Sequence, residues 1–188
     1  MSSRTELVCM YEGKEGASID SVFINRLIRS LKPTWIRKRG SNFVVILPQG
    51  GRKSLIAAVP AELRRCLNQG GSTTLMVWAD LDDDMDNGDQ LVEEFKKRAL
   101  KEGISEYEFK NVVFIFAKDR LENWIQFLET GSTDEKVEGP RVKQGRRVRD
   151  AAKSLADRCK KNQPEPPFPT SLVWSCKNWH RLVKRLLG

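Results

Sequence analysis

Short, mostly apolar runs alternate along the chain with longer stretches in which apolar residues recur every three or four positions. The short runs occupy residues 6–11, 42–47, 75–79 and 111–116. Runs of this length and composition are typical of strands that are buried on both faces of a parallel sheet. Strands that alternate with helices indicate βαβ units. The pattern therefore predicts an α/β fold with a mostly parallel four-stranded sheet flanked by helices.

The predicted helices begin and end at residues that favour helix boundaries. Ser18 or Asp20 could cap the first helix, which Pro33 ends. A second helical stretch begins after Gly51, and Pro60 is predicted to divide it in two. The pattern predicts further helices at residues 89–101, 121–128 and 150–161, and from about 171 onwards. Residues 130–145 are predicted to form a linker or a mobile loop, and prolines between 164 and 169 a stiff connector.

Charge is distributed unevenly over the 188 residues. Residues 141–188 contain 13 lysines and arginines against 3 acids, whereas residues 1–140 contain 20 against 22. We therefore divide the chain into an α/β domain at 1–135 and a basic helical extension at 136–188, packed on the domain or tethered to it. The imbalance predicts that a polyanion such as nucleic acid meets the extension.

The predicted nucleic-acid contacts are Lys14 near the first strand and Arg146, Arg147, Arg149, Lys177, Arg181, Lys184 and Arg185 in the extension. Together these side chains could neutralise several phosphates, which would give salt-sensitive binding without sequence preference. The basic face of the last helix could instead lie on a membrane surface. We favour nucleic acid, because the apolar face of that helix is needed for packing.

Composition argues against several classes of protein. The four cysteines lie far apart, at positions 9, 66, 159 and 176, which disfavours a disulfide framework or a zinc site. No apolar run reaches the roughly 18 residues of a membrane helix, and no signal peptide opens the sequence. We expect a cytoplasmic protein without a membrane partner.

Carboxylates follow two of the predicted strands. Glu12 comes after the first strand, and Asp80 and Asp82 come after the third. The carboxyl ends of parallel strands open on one edge of a sheet, so these three side chains should face each other. Their mutual repulsion favours a bound cation, and oxygen-only ligands favour Mg²⁺ or Mn²⁺. The alternative is a solvated acidic loop that caps the following helix.

The sequences Glu12-Gly13-Lys14 and Asp80-Leu81-Asp82, each after a strand, resemble the motifs of the Toprim (topoisomerase–primase) domain across residues 5–130. The segment 118–124, the helix containing Ala151 and a proline-rich turn before the last helix are similar to small stand-alone Toprim-like proteins related to OLD-type nucleases. The resemblance implies a Toprim-like Rossmannoid fold and a Mg²⁺ (or Mn²⁺) site. Glu12 would act as general acid/base or metal ligand, Asp80 and Asp82 as ligands, and Asp84 as a further ligand.

Two functions follow from the resemblance. The first is a Mg²⁺-dependent phosphodiesterase that cleaves DNA or RNA. The second is a non-catalytic module that binds nucleic acid or a partner protein encoded nearby, since such proteins resemble components of mobile-element or anti-phage loci. We expect neither DNA relaxation nor primer synthesis, which need additional domains. The crowding of acids at residues 80–84 favours the enzyme.

Other residues carry weaker signals. Lys118, after the fourth strand, could neutralise a scissile phosphate. Glu122 lies three residues after Asp119, the spacing of a capping box, so it is either a helix cap or a metal ligand. The segment Gly50–Ser54 superficially resembles the end of a P-loop, but Arg52 interrupts the required Gly-Lys pair and we reject that interpretation.

Overall fold

The structure is a computed structural model that describes residues 7–16, 18–31, 44–69, 73–85, 87–160 and 168–187. Four strands form one sheet in the order β2-β1-β3-β4, with every neighbouring pair parallel. The strands are β1 (Leu7–Tyr11), β2 (Val44–Pro48), β3 (Thr74–Leu81) and β4 (Val113–Lys118). The predicted fold class, a parallel four-stranded sheet flanked by helices, is confirmed.

Seven helices accompany the sheet in the described part of the chain. They are α1 (Ile19–Ser30), α2 (Arg52–Asn68), α3 (Gly88–Lys101), α4 (Glu106–Phe109), α5 (Leu121–Thr130), α6 (Gly145–Lys160) and α7 (Thr170–Leu187). None of them is both long and apolar enough to cross a membrane. Ser18, rather than Asp20, caps α1: its hydroxyl accepts a hydrogen bond from the backbone N–H of Ser21 at 3.3 Å.

Side chains alternate between the two faces of each strand and so build two apolar cores. On one face, residues such as Tyr11, Trp78 and Ile115 pack against α1, α5, α6 and part of α7. On the other, residues such as Met10 and Val77 pack against α2, α3 and α4. Both faces of the sheet are thus covered, as the uninterrupted apolar runs require.

Pro60 does not divide the second helix, so that prediction is wrong. Helix α2 runs continuously from Arg52 to Asn68 with Pro60 buried inside it. A proline in a helix removes one backbone hydrogen bond and crowds the preceding turn. Buried Leu55 and Val59 precede Pro60, and buried Leu63 follows it on the same face of the sheet. Packing on both sides of the proline therefore holds the helix together.

Other boundaries also differ from prediction. Helix α6 begins at Gly145 instead of residue 150, because Val148 already lies in the core amid arginines that favour helix. The short α4 was not predicted; Ser105 and Glu108 form a capping box at its start. Strand β3 continues two residues beyond Ala79, so Asp80 belongs to the strand.

Helix α7 covers the outer edge of β4. The Ser175 hydroxyl accepts a hydrogen bond from the backbone N–H of Phe116 and donates one to the carbonyl of the same residue, both at 2.9 Å. The Trp174 ring stacks on Phe116 with 5.1 Å between centroids. The extension therefore shares the cores of the α/β domain. The predicted proline connector lies mostly outside the described residues.

Candidate active site

The carboxyl ends of β1 and β3 form an acidic edge, as the sequence predicts. The two strands pair in parallel from Leu7 beside Thr74 to Tyr11 beside Trp78, which brings Glu12 level with the end of β3. Glu12 and Asp80 line one cavity of about 250 Å³, whose wall also contains Tyr11, Trp78 and Asp20. Residues that are far apart in the sequence thus share one solvent-accessible cleft.

Two further acids complete the edge, and they come from the helices rather than the strands. Asp20, which the sequence suggested only as a cap, lies in the first turn of α1, and Glu122 lies in the first turn of α5. Strand alternation points Asp80 to the same face of the sheet as Trp78, where α1 and α5 pack. Both acids raise the pKa of Asp80, which shows that the three carboxylates interact.

The pKa values of three of these acids are raised, chiefly by burial. Burial, followed by the charges of Asp20, Glu12 and Glu122, raises the pKa of Asp80 well above its usual range. Burial raises the pKa of Asp20 to about 6, with further contributions from Glu122 and Glu12. Burial also raises the pKa of Glu122. These shifts all disfavour the ionised form.

An aromatic floor explains the poor solvation. Trp78 packs edge-on against Phe23 and Trp124, with ring centroids 5.8 and 5.6 Å apart. The buried indole N–H of Trp78 has no hydrogen-bond partner among the described residues. Above this floor, Gly13 passes so close to the ring of Tyr11 that a Cβ at this position would lie 2.4 Å from it. The glycine of the Glu-Gly-Lys motif is therefore sterically required here.

One cation, Arg52, enters the cluster from the start of α2. Its Nε donates a hydrogen bond to Glu12 Oε1 at 2.7 Å, and its Nη1 forms an ion pair with Asp82. Its Nη2 donates to the backbone carbonyl of Asp80. One guanidinium thus joins the ends of β1 and β3. Arg52 was not predicted as a site residue, because the only motif that contains it is the rejected P-loop.

Two of the predicted site residues, Lys118 and Asp84, are positioned differently from the prediction. The Lys118 ammonium donates a hydrogen bond to the backbone carbonyl of Met85 at 3.0 Å, which ties β4 to the turn after β3. Asp84 lies exposed in that turn, which the Met85 N–H closes on the Asp82 carbonyl. Asp84 therefore does not line the cavity.

Of the two predicted roles of Glu122, the capping box is wrong. The residue at the N-cap of α5 is Arg120, and its side chain makes no capping hydrogen bond. Asp119, which the spacing made the cap, instead has a positive φ of 61°, and its buried Oδ2 has no partner among the described residues. Such backbone strain in a residue other than glycine is concentrated at functional sites. The predicted capping box is therefore absent, and the charge of Glu122 contributes to the raised pKa values of Asp20 and Asp80.

Among the described residues, the basic side chains predicted to bind nucleic acid differ in their contacts. Arg147 makes two hydrogen bonds to Glu129, at 2.8 and 2.6 Å, and Arg146 pairs with Asp150 at 3.7 Å. Arg181 donates to the carbonyl of Lys110, which precedes β4 and so lies at the end opposite the acids. Lys14, Arg149 and Lys177 are exposed, and the side chains of Lys184 and Arg185 lie outside the described residues.

The donor set of the acidic edge suits a hard divalent cation, because every side-chain donor is a carboxylate. The side-chain arrangement, however, is not a preformed metal centre. Within the described ranges, no three acidic, histidine or cysteine side chains are grouped so as to hold an ion. The Arg52 guanidinium lies between Glu12 and Asp82 instead.

Comparison of the chain with known protein families, curated proteins and solved structures found no match.

Proposed function

We propose that this protein is a Mg²⁺-dependent phosphodiesterase that cleaves nucleic acid at the acidic edge. The observation that carries the proposal is the convergence of five carboxylates at the ends of parallel strands and the starts of the adjoining helices. They are Glu12, Asp20, Asp80, Asp82 and Glu122. Ionised carboxylates that lie this close together repel each other, so a bound cation would offset that repulsion.

Each side chain has a role that its position suggests. Glu12, Asp80 and Asp82 would hold the cation, since they are the acids at the ends of β1 and β3. When bound, the cation supplies a Lewis acid that polarises a phosphoryl oxygen and promotes attack by water. Asp20 lines the same cavity as Glu12 and Asp80, and its carboxylate would accept the proton of that water. The leaving oxygen of the phosphodiester departs as the new P–O bond forms.

A second candidate function is supported by Arg52. A non-catalytic module that binds nucleic acid or a partner protein would have no need of a metal, and an internal arginine would neutralise its acids permanently. The ion pairs of Arg52 with Glu12 and Asp82 favour this function. A setting in a mobile-element or anti-phage locus, which the resemblance to Toprim-like proteins implies, would suit either function.

A cleavage assay separates the two functions. Purified protein is incubated with plasmid, single-stranded DNA and RNA, each with Mg²⁺, with Mn²⁺ or with EDTA. We expect cleavage of at least one substrate with a metal and none with EDTA. Absence of cleavage under every condition would favour the binding module.

Glu12→Gln tests whether the acidic edge is responsible. We expect the rate to fall at least about a hundredfold, because the change removes a metal ligand or acid/base group. Glu15→Gln is the matched control, since Glu15 is an exposed acid on the same loop. Equal rates for the two variants would contradict the assignment of Glu12.

A further inference from the structure

Arg52 binds two of the three carboxylates that the proposed function assigns to the cation, those of Glu12 and Asp82. Its three nitrogen atoms contact Glu12, Asp82 and the carbonyl of Asp80, all at the ends of β1 and β3. A carboxylate oxygen that accepts a hydrogen bond from a guanidinium cannot at the same time be fully available to a metal ion. Two cations at this spacing would also repel each other.

The contact is unlike a loose surface ion pair. The side chains of Arg52 and Glu12 are each only 21% exposed, and the guanidinium is held from three directions. Charge-assisted hydrogen bonds of this kind are roughly twice as strong as neutral ones. By contrast, Lys53, the next residue of α2, is exposed. The position of Arg52 is therefore specific to the acidic edge.

We infer that Arg52 is a built-in counter-ion that occupies the acidic edge in the metal-free protein and that a divalent cation must displace. The inference rests on the proposed function, since it concerns the same cation. It explains why five acids converge although no three of them are grouped for a metal in the described residues. Displacement of the guanidinium leaves Glu12 and Asp82 to bind the ion, so Arg52 sets the affinity for the ion.

Mn²⁺ titration by calorimetry, without nucleic acid, tests the inference. We compare the wild type with Arg52→Gln and with Lys53→Gln, which removes the same charge one residue away. We expect Arg52→Gln to bind Mn²⁺ about tenfold more tightly or better, because no hydrogen bonds to the acids need be broken. Lys53→Gln should stay within about twofold of the wild type, because its charge is solvated.

Three outcomes would overturn the inference. They are equal or weaker binding by Arg52→Gln, no binding by either protein, and equal tightening in Lys53→Gln, which would indicate a general charge effect. Because metal binding is measured without substrate, the result is independent of cleavage. Tighter binding by Arg52→Gln without any cleavage would uphold the inference and defeat the proposed function.

Nuclear magnetic resonance of the wild type gives a second measurement that does not depend on the folding of a variant. The Nε–H of Arg52, hydrogen-bonded to Glu12, should give a signal protected from solvent exchange in EDTA. Saturating Mg²⁺ should remove that protection, whereas the Nε–H of Arg147, which is hydrogen-bonded to Glu129, should not change. Protection of Arg52 that persists with Mg²⁺ would show that the arginine is a permanent structural partner.

Discussion

Charges of the same sign have opposite surroundings in the acidic edge and in the basic helices α6 and α7. At the edge, Asp20, Asp80 and Glu122 lie close together above buried tryptophans, and their pKa values rise. In the helices, Arg146 and Arg147 each pair with an acid at the surface. At the edge the raised pKa values favour the protonated acids, whereas these two cations of the helices are paired. Charges of one sign therefore lie close together at the edge, whereas in the helices they are paired with the opposite sign at the surface.

The largest expected effect comes from the edge. Asp80→Asn should reduce metal-dependent cleavage at least about a thousandfold, because it removes a strand-end ligand and the activity depends on the bound metal. The fold should persist, since the side chain lies at the end of β3 rather than in either core. The matched control is Asp83→Asn, which neutralises an exposed acid in the adjoining turn. Normal cleavage by Asp80→Asn would refute the active-site assignment.

Charge reversal in the basic helices should have the next largest effect. Replacement of Arg146, Arg149 and Lys177 by Glu should weaken nucleic-acid binding about a hundredfold at low salt. The slope of log affinity against log salt should become shallower by roughly 0.9 for each phosphate that the protein no longer neutralises. The control reverses three exposed cations elsewhere, Arg26, Lys97 and Lys101, and so changes the net charge equally. If both triple variants weaken binding to the same extent, the extension is not a specific contact surface.

Asp20→Asn should change how the free energy of unfolding depends on pH. The folded-state pKa of about 6 is above the ordinary 3.8, so Asp20 holds its proton more firmly in the folded protein. Stability from this group is complete at low pH and is lost as the pH rises through 6. The variant should therefore gain about 1–2 kcal/mol over the wild type at pH 8 and almost nothing at pH 3.5, after allowance for partial solvation.

Urea unfolding at the two pH values, without metal, measures this difference. Asp83→Asn again provides the control, because it removes a solvated acid from the same region. A gain for Asp20→Asn of equal size at pH 3.5 and 8 would mean that charge is not its source.

The smallest effect concerns pairing within the basic helices. Glu129→Gln removes the partner of Arg147 and should change stability by less than about 1 kcal/mol. The released guanidinium should then be available to a phosphate and should strengthen nucleic-acid binding about twofold to threefold at low salt. Urea unfolding measures the first change, and fluorescence anisotropy over a salt series measures the second. Unaltered affinity and salt slope would show that Arg147 does not contribute to binding even when released.

Much of the fold was predictable because buried parallel strands have a distinctive composition. The apolar runs located all four strands, and parallel pairing then placed Glu12 beside the acids of β3. The sequence does not identify Asp20 and Arg52 as site residues, and it predicts either a helix cap or a metal ligand for Glu122. Each stands in the first turn of a helix that follows a strand, where βα geometry brings a side chain to the same edge of the sheet.

The direction in which such first-turn side chains point is set by how each helix packs, and the sequence does not reveal that packing. Asp20 was interpreted as a possible cap because acids at this position are commonly caps, yet Ser18 performs that role. Pro60 was interpreted as a helix end because propensity alone disfavours it, yet burial on the sheet decides the outcome. At Asp20 a local hydrogen bond of Ser18, the other predicted cap, decides the outcome, whereas at Pro60 tertiary contacts override a correct local preference.

The two hydrogen bonds of Ser175 have a consequence for solubility. Strand β4 lies at the edge of the sheet, and its sequence, Val-Phe-Ile-Phe-Ala-Lys, is almost entirely apolar. An uncovered strand of this kind is a template for pairing with other chains and hence for aggregation. By occupying both backbone groups of Phe116, Ser175 blocks the centre of that template. Helix α7 thus covers part of an edge that would otherwise be open to pairing with another chain, as well as completing the cores.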